Sequence, residues 1–251
     1  MSVNITTAPL HPEIKALAER ILSDGIPSEA RIIYKGRNRV YALKLSDGSE
    51  VNIKAFKIPR GLNPYIYTLF RKSKARRSYE NSQQLIKLGI NAPEPLAYIE
   101  IRNGIRLGRS YYICRQIESQ NVRDWDKKPD CEALLQALAE EIVKLHEAGV
   151  LHKDFSPGNV LYTGNQNDGY TFYYIDLNRM SFDVRSHKKL MRMFRAISLD
   201  PEQTAHLARL YGKAAGKDPD KTEIEARKAL QSYLDKKSRL RKLKKALHLS
   251  D

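Results

Sequence analysis

One ten-residue segment, HKDFSPGNVL at residues 152–161, constrains this chain more than any other feature. It has the pattern H-x-D-x-x-x-x-N followed by an apolar strand, with Asp154 and Asn159 at the two later polar positions. A second acid, Asp176, ends the sequence YYID shortly downstream. Each residue alone fits a surface loop rich in Asp, Asn and Gly. The ordered set fits such a loop poorly.

The types and order of these three residues are typical of phosphoryl transfer from ATP. That reaction needs a carboxylate to orient the acceptor hydroxyl, and an amide and a second carboxylate to hold the Mg²⁺ ions that neutralise the phosphates. The pattern therefore predicts that Asp154 meets the acceptor and that Asn159 and Asp176 bind metal. We interpret His152 as a residue that orders the loop.

Charge is the second informative feature. The 251-residue chain has 44 Lys and Arg against 29 Asp and Glu, a formal net charge of +15. Such an excess indicates an anionic partner, which is a nucleic acid, a phospholipid surface or an acidic substrate. The hydrophobic content of 41% is ordinary for a globular protein. No uninterrupted apolar run approaches the ~18 residues of a membrane span.

The expected location is the cytoplasm. The first twenty residues lack the basic start and apolar stretch of a secretory signal. Two cysteines, Cys114 and Cys131, cannot form a disulfide framework and do not belong to a metal-ligand motif. Cys114 lies in an apolar run and is predicted to be a buried free thiol, which suits a reducing compartment.

The periodicity of apolar residues predicts the order of the elements. In the first part of the chain these are a helix from His11 to Asp24, a three-stranded meander from Arg31 to Phe56, a helix from Ser73 to Leu88, and a hairpin of 96–101 and 105–114. After Gln116 they are a helix from Cys131 to Ala148, a hairpin of 160–162 and 170–175, and helices beyond Asp183.

This order predicts an α+β chain with a two-lobed, protein-kinase-like fold. A small antiparallel β lobe with one helix is followed by a short hinge near 116–119 and a larger helical lobe. We place the domains at 1–116, a nucleotide lobe with a leading helix, and at 117–251, a catalytic and substrate lobe that ends in a basic helix.

The nucleotide site is predicted around Lys54. Its sequence VNIK resembles the V-A-I-K element of kinases, in which the lysine contacts the ATP phosphates. Glu80, in the following helix, is the predicted ion-pair partner, because an uncompensated buried charge costs several kcal/mol. Lys57 is an alternative for the phosphate role. Taken alone, Lys54 and Glu80 would each fit a solvated position.

The segment GRNRVY at 36–41 stands where kinases have a glycine-rich loop, but it has one glycine. Backbone amides can still cap a phosphate, so Gly36 and Asn38 belong to the predicted nucleotide site. An ordinary hairpin turn fits equally well, and Arg37 or Arg39 could supply charge. Downstream, DLN at 176–178 replaces D-F-G, and the missing glycine argues against a switchable activation loop.

Three basic clusters lie at 71–77, 185–195 and 236–245. The last has seven basic residues in ten positions, with Leu240, Leu243 and Leu247 at helical spacing. This pattern is typical of a basic amphipathic helix, and it predicts that residues 236–247 bind an anionic membrane surface. A solvated helix face is the alternative for each cluster. The absence of a nucleic-acid motif argues against nucleic acid as a partner.

Taken together, these motifs resemble the lipopolysaccharide kinase family of the protein-kinase-like superfamily, which phosphorylates Kdo or heptose in the lipopolysaccharide inner core. The resemblance covers 31–178 and rests on IKAFK, ARRSYEN, LGINAPEPLAY, LHEAGVLHKDFSPGNVLY and YYIDLNR. It implies ATP with Mg²⁺ as donor and a sugar hydroxyl as acceptor. By position it implies that Asp154 is the base, that Asn159 and Asp176 hold metal, that Lys54 holds phosphate and that Glu80 holds Lys54.

Other functions stay open at this point. No A-P-E element follows Asp176, so the peptide-docking half of a protein kinase is missing. The alternatives are an aminoglycoside- or choline-type kinase, an atypical protein kinase, and a basic membrane-binding pseudokinase. Retention of Lys54, Asp154, Asn159 and Asp176 argues against an inactive site. We expect a kinase of lipopolysaccharide core sugars, cytoplasmic or peripheral on the cytoplasmic face of the inner membrane.

Overall fold

The computed structural model describes residues 2–7, 12–58, 71–123, 125–197 and 200–246. Within these ranges the chain divides into two compact units. Unit 1 holds the described residues up to Glu118 together with Ile175–Asn178, and unit 2 holds Ser119–Tyr174 and the described residues from Arg179 onwards. The segment carrying Asp176 therefore belongs to unit 1. The functional division at 1–116 and 117–251 stays a prediction.

Unit 1 is built on a six-stranded antiparallel sheet in the order β1-β5-β6-β4-β3-β2. Its strands are β1 (Ser2–Thr7), β2 (Arg31–Lys35), β3 (Arg39–Lys44), β4 (Glu50–Phe56), β5 (Pro95–Asn103) and β6 (Arg106–Arg115). The predicted meander is β2 to β4, and the predicted hairpin is β5 and β6. Sequence reasoning missed β1, a short strand that is ordered by pairing along β5.

Helices cover both faces of this sheet. They are α1 (Pro12–Ser23) and α2 (Lys74–Lys87). Because side chains alternate along a strand, Ile53 of β4 enters the core around α1, and Phe56 packs with Tyr79 of α2. Lys54 has the parity of Phe56, so its side chain lies on the α2 face. The predicted position of His11 in the leading helix lies outside the described residues.

Helix α2 presents distinct stripes. Ser73 caps its start by accepting a 3.0 Å hydrogen bond from the Arg76 amide. Its apolar stripe, with Ala75, Tyr79 and Leu85, is buried against the sheet. Arg76 and Glu80 form a second stripe at i,i+4 spacing. Arg77 and Asn81 form a third, about 100° further round the helix.

Unit 2 contains a three-stranded sheet in the order β10-β9-β7 and a two-stranded one, β11-β8. The strands are β7 (Gln120–Asn121), β8 (Leu151–His152), β9 (Val160–Asn165), β10 (Gly169–Tyr174) and β11 (Met180–Ser181). The helices are α3 (Cys131–Glu147), α4 (His187–Leu190), α5 (Phe194–Ile197), α6 (Pro201–Ala214) and α7 (Pro219–Ala246). Helix α3 buries the predicted stripe of Leu134, Leu135, Leu138, Ile142 and Leu145.

Two titratable groups belong to the cores rather than to a site. His146 accepts from or donates to the Tyr211 hydroxyl through Nδ1 at 2.9 Å, and burial lowers its pKa to about 3. It is therefore neutral at physiological pH. Cys114 in unit 1 is a buried free thiol, as predicted, and burial raises its pKa to about 12.

Candidate active site

Lys54 forms an ion pair with Asp176 inside unit 1. Its Nζ lies 2.6 Å from Asp176 Oδ1, and the two side chains are 17% and 26% exposed. The ammonium also lies 5.5 Å from the centre of the Phe56 ring. Because Lys54 is largely removed from water, the carboxylate offsets the cost of desolvating its charge. Two of the predicted site residues, one for phosphate and one for metal, are thus brought together.

Asp176 lies in a tight turn with a left-handed backbone. Its φ is +56°, which is uncommon for a residue other than glycine, although Asp tolerates it better than most. Asn178 Nδ2 donates to Asp176 Oδ1 at 2.6 Å. Two side chains of α2 bind the same turn through its carbonyl oxygens: Arg77 Nη1 donates to Asn178 at 2.8 Å, and Asn81 Nδ2 donates to Leu177 at 2.6 Å.

The predicted ion pair between Lys54 and Glu80 is not the pairing found. Glu80 accepts from Lys72 Nζ and from Arg76 Nε, each at 2.8 Å. Burial opposes ionisation of the Glu80 carboxyl, but the hydrogen bonds from these two cations outweigh it and lower its pKa. The prediction was wrong because Arg76 is an i,i+4 neighbour on the same stripe of the helix. Lys54 takes Asp176 instead.

Gly36 and Asn38 shape the turn between β2 and β3. Asn38 Oδ1 accepts from the backbone amide of Lys57 at 3.2 Å, which ties the turn to the end of β4. A Cβ on Gly36 would lie 2.5 Å from the Tyr34 hydroxyl, so the bare backbone admits that side chain. Contact of Gly36 or Asn38 with a nucleotide stays a prediction, as does the alternative role of Lys57.

The Asp154 loop lies in unit 2, directly after β8. Two hydrogen bonds hold this loop, and both use the backbone of Asp154. The amide donates to His152 Nδ1 at 3.1 Å, and the carbonyl accepts from Asn159 Nδ2 at 2.9 Å. His152 is buried and orders this loop. The Asp154 side chain is 41% exposed, and Arg179 Nη1 lies 3.6 Å from its Oδ2. The carboxylate is therefore accessible to solvent and lies near a cation.

The predicted metal ligands have suitable chemistry for Mg²⁺. Asp176 offers a partly exposed carboxylate. Asn159 uses its amide nitrogen to brace the loop, and its amide oxygen is the atom that a metal would use. Among the described residues there is no group of three or more His, Cys, Asp or Glu side chains that could hold a metal ion. Mg²⁺ does not need one, since it is usually bound by one or two protein ligands, waters and substrate phosphates.

Several residues around Asp176 were not predicted from the sequence. They are Arg77, Asn81 and Asn178, described above, and Lys74 at the start of α2. Burial and then the nearby cation Arg37 lower the pKa of Lys74, an effect that Asp176 partly opposes. Lys54 and Lys74 therefore place positive charge near the Asp176 carboxylate. The i,i+4 spacing of Arg77 and Asn81 is visible in the sequence and places them on one stripe of α2. The predicted ion pair instead assigned Glu80, on the neighbouring stripe, to the site.

Residues 57–211, more than half of the chain, match the sequence model of the lipopolysaccharide kinase (Kdo/WaaP) family. The chain belongs to this family. The match includes Asp154, Asn159 and Asp176, and it begins after Lys54. It confirms the resemblance drawn from the motifs.

Two further comparisons found similar proteins. A 3-deoxy-D-manno-octulosonic acid kinase of Vibrio parahaemolyticus is 27% identical over 101 residues, which are 39% of this chain and 41% of that protein. The chain thus matches less than half the length of this relative. The structure of WaaP in complex with acyl carrier protein has a TM-score of 0.57 at 15% identity, covering 94% of this chain and 98% of that one.

A second solved structure has a similar fold. The amicoumacin kinase hAmiN, in complex with AMP-PNP, Ca²⁺ and Ami, has a TM-score of 0.54 at 14% identity, covering 82% of this chain and 78% of that one. At such identities the likeness shows the fold alone. The predicted α+β, protein-kinase-like fold is confirmed.

Proposed function

We propose that this protein transfers the terminal phosphoryl group of ATP to a hydroxyl of Kdo or heptose in the lipopolysaccharide inner core. One observation carries the proposal: the family match encloses Asp154, Asn159 and Asp176 in a chain whose Asp176 is ion-paired with Lys54. The known relative supports Kdo as the acceptor, since its name is that of a Kdo kinase.

Each residue has a role in this proposal. Asp154 accepts the proton of the acceptor hydroxyl, and Arg179 keeps its carboxylate oriented. Lys54 binds the phosphates of ATP, and Lys74 adds positive charge near the same turn. Asp176 and Asn159 would hold Mg²⁺, which neutralises the phosphates when bound. Asn38 would place its backbone amide beside the nucleotide, whereas the Gly36 amide donates to the Asn38 carbonyl at 3.1 Å.

Acceptor choice is the decisive test. Purified protein with Mg²⁺ and γ-labelled ATP should label lipopolysaccharide core or a Kdo-containing fragment, and the label should be lost without Mg²⁺. Parallel reactions with an aminoglycoside and with a general protein substrate test the other kinase classes. Labelling of either one in place of the core sugar would overturn the proposed acceptor. Binding of ATP without any transfer would favour the pseudokinase.

A second proposal concerns the end of α7, which we place at an anionic membrane surface. Residues 235–243 of this helix are all exposed, and the apolar Leu240 and Leu243 are 51% and 56% exposed. Exposed leucines among cations are what an interfacial helix needs. Leu247 of the predicted stripe lies outside the described residues. No helix in the described part of the chain is long and apolar enough to span a membrane. From the exposed cations and leucines of α7 we propose peripheral binding at the cytoplasmic face of the inner membrane.

Charge reversal tests the membrane proposal. Each basic residue near an anionic leaflet contributes ~1 kcal/mol, so changing Lys237, Arg241 and Lys244 to Glu should weaken vesicle binding by at least roughly a hundredfold. Flotation with anionic vesicles at low and high salt measures it, because a Debye length of about 8 Å makes such binding salt-sensitive. A matched control reverses Lys15, Lys44 and Lys87, three exposed cations of unit 1. Equal, salt-insensitive flotation of wild type and both variants would contradict the membrane proposal and show that the end of α7 is a solvated helix.

A further inference from the structure

The turn that carries Asp176 is held by α2 through two side chains, Arg77 and Asn81. Both contacts are long-range, joining residues 101 and 96 positions apart in the chain. Both are short hydrogen bonds to carbonyl oxygens, 2.8 Å for Arg77 and 2.6 Å for Asn81. Their i,i+4 spacing places the two donors on one stripe of the helix, so they bind the carbonyl oxygens of two successive residues in the turn.

The turn needs such partners for two reasons. Leu177 and Asn178 are buried, and buried carbonyl oxygens in proteins are almost always hydrogen-bonded. Asp176 has a left-handed φ of +56°, and residues in sparsely populated conformations persist only where the surrounding structure fixes them. Arg77 and Asn81 supply both the donors and the restraint.

The restraint reaches the Asp176 carboxylate through Asn178. Arg77 fixes the backbone of Asn178, and the Asn178 side chain donates to Asp176 Oδ1 at 2.6 Å. Lys54 donates to the same oxygen. A glycine at position 178 could not donate this hydrogen bond. The asparagine of DLN, in place of the glycine of D-F-G, therefore helps to orient the Asp176 carboxylate.

We infer that Arg77 and Asn81 are positioning residues for Mg²⁺ binding, acting through the Leu177–Asn178 backbone on the carboxylate of Asp176. This inference rests on the proposed function, in which Asp176 holds the metal. In this inference α2 acts on the site through the hydrogen bonds of Arg77 and Asn81, and no ion pair between Lys54 and Glu80 is needed. Glu80 serves instead to pair with Lys72 and Arg76 on the neighbouring stripe.

Mg²⁺ titration of nucleotide binding tests the inference. The half-saturating Mg²⁺ concentration for binding a fluorescent ATP analogue should rise roughly 10- to 100-fold in Arg77→Gln and in Asn81→Ala, the range typical of residues that orient a metal ligand. Binding of the analogue without Mg²⁺ should stay near wild type. Arg77→Lys retains a donor and should recover most of the Mg²⁺ affinity. Matched controls are Lys87→Gln and Gln84→Ala, exposed positions on the same helix.

The outcomes separate the inference from the proposed function. If Asp176→Ala leaves the Mg²⁺ titration unchanged, the metal role of Asp176 fails. If Asp176→Ala shifts it but Arg77→Gln and Asn81→Ala do not, only the positioning role fails. Equal loss of binding with and without Mg²⁺ would show a merely structural role and would also overturn the inference. If Arg77→Gln does not fold, Asn81→Ala and Arg77→Lys decide by the same criteria.

Discussion

Replacing Asp154 with Asn should lower the turnover of the kinase about 10²- to 10⁴-fold, the usual contribution of a positioned base. The amide has the shape of the carboxylate but cannot take the proton of the acceptor hydroxyl. Nucleotide affinity should stay near wild type, because the residue meets the acceptor and not ATP. The measurement is steady-state turnover on a core-sugar acceptor, together with nucleotide binding.

The loop should survive this change. Its hydrogen bonds with His152 and Asn159 use the backbone of Asp154, which the substitution leaves in place. The ion pair with Arg179 is largely exposed, and such pairs contribute about 0–1 kcal/mol to the free energy of unfolding. A thermal unfolding curve close to wild type is therefore expected. Turnover near the wild-type rate in a folded Asp154→Asn protein would remove Asp154 from its proposed role.

A matched control is available in the same unit. Asp168→Asn makes the identical chemical change in the exposed turn between β9 and β10. Its carboxylate accepts a hydrogen bond from Asn165, which an amide oxygen can still accept. This variant should retain full turnover. A comparable loss in both variants would point to a general effect of charge on the protein.

Much of unit 1 could be predicted because alternation along a strand is a local property. The apolar pattern of β4 assigns Ile53 and Phe56 to opposite faces, and Lys54 follows by parity. Helix α2 was also predictable, since Ser73 is a good cap and its apolar stripe has helical spacing. The strand β1 was not, because six residues acquire their register only by pairing with β5.

The partner of Lys54 could not be predicted from spacing. A helix offers several polar stripes, and the choice among them depends on its rotation about its axis. That rotation is set by the burial of Ala75, Tyr79 and Leu85 against the sheet. With the helix in this rotation, Arg77 and Asn81 contact the Asp176 turn, and Glu80 forms ion pairs with Lys72 and Arg76. The left-handed backbone of Asp176 could not be predicted either, because DLN contains no glycine that would indicate a positive φ.

Asp176→Ala should weaken Mg²⁺-dependent nucleotide binding by at least roughly 100-fold, since loss of an orienting residue alone costs 10- to 100-fold. Nucleotide binding without Mg²⁺ should not weaken, because the substitution removes a negative charge that lies 2.6 Å from the phosphate-binding Lys54. The measurement is binding of a fluorescent ATP analogue across a Mg²⁺ titration. Unchanged affinity at every Mg²⁺ concentration would mean that another residue carries the metal.

Two side effects of this substitution need their own controls. Alanine tolerates a φ of +56° less well than Asp does, and Asp183 at +55° offers the same backbone in unit 2. Asp183→Ala should therefore reproduce the backbone cost without the loss of Mg²⁺ binding. The second effect is on Lys54, whose ammonium would lose its carboxylate, a cost on the order of 1–3 kcal/mol in the free energy of unfolding.

Asp176→Asn separates the metal from the ion pair. Its amide oxygen can still accept from Lys54 and Asn178, and Asn suits a left-handed backbone. Its unfolding temperature should thus lie closer to wild type than that of Asp176→Ala. It lacks the negative charge that Mg²⁺ requires, so its Mg²⁺ affinity should still fall. A variant that is stable yet unresponsive to Mg²⁺ would locate the metal at this carboxylate. Wild-type Mg²⁺ affinity in Asp176→Asn would instead assign any loss in the alanine variant to disturbed packing around Lys54.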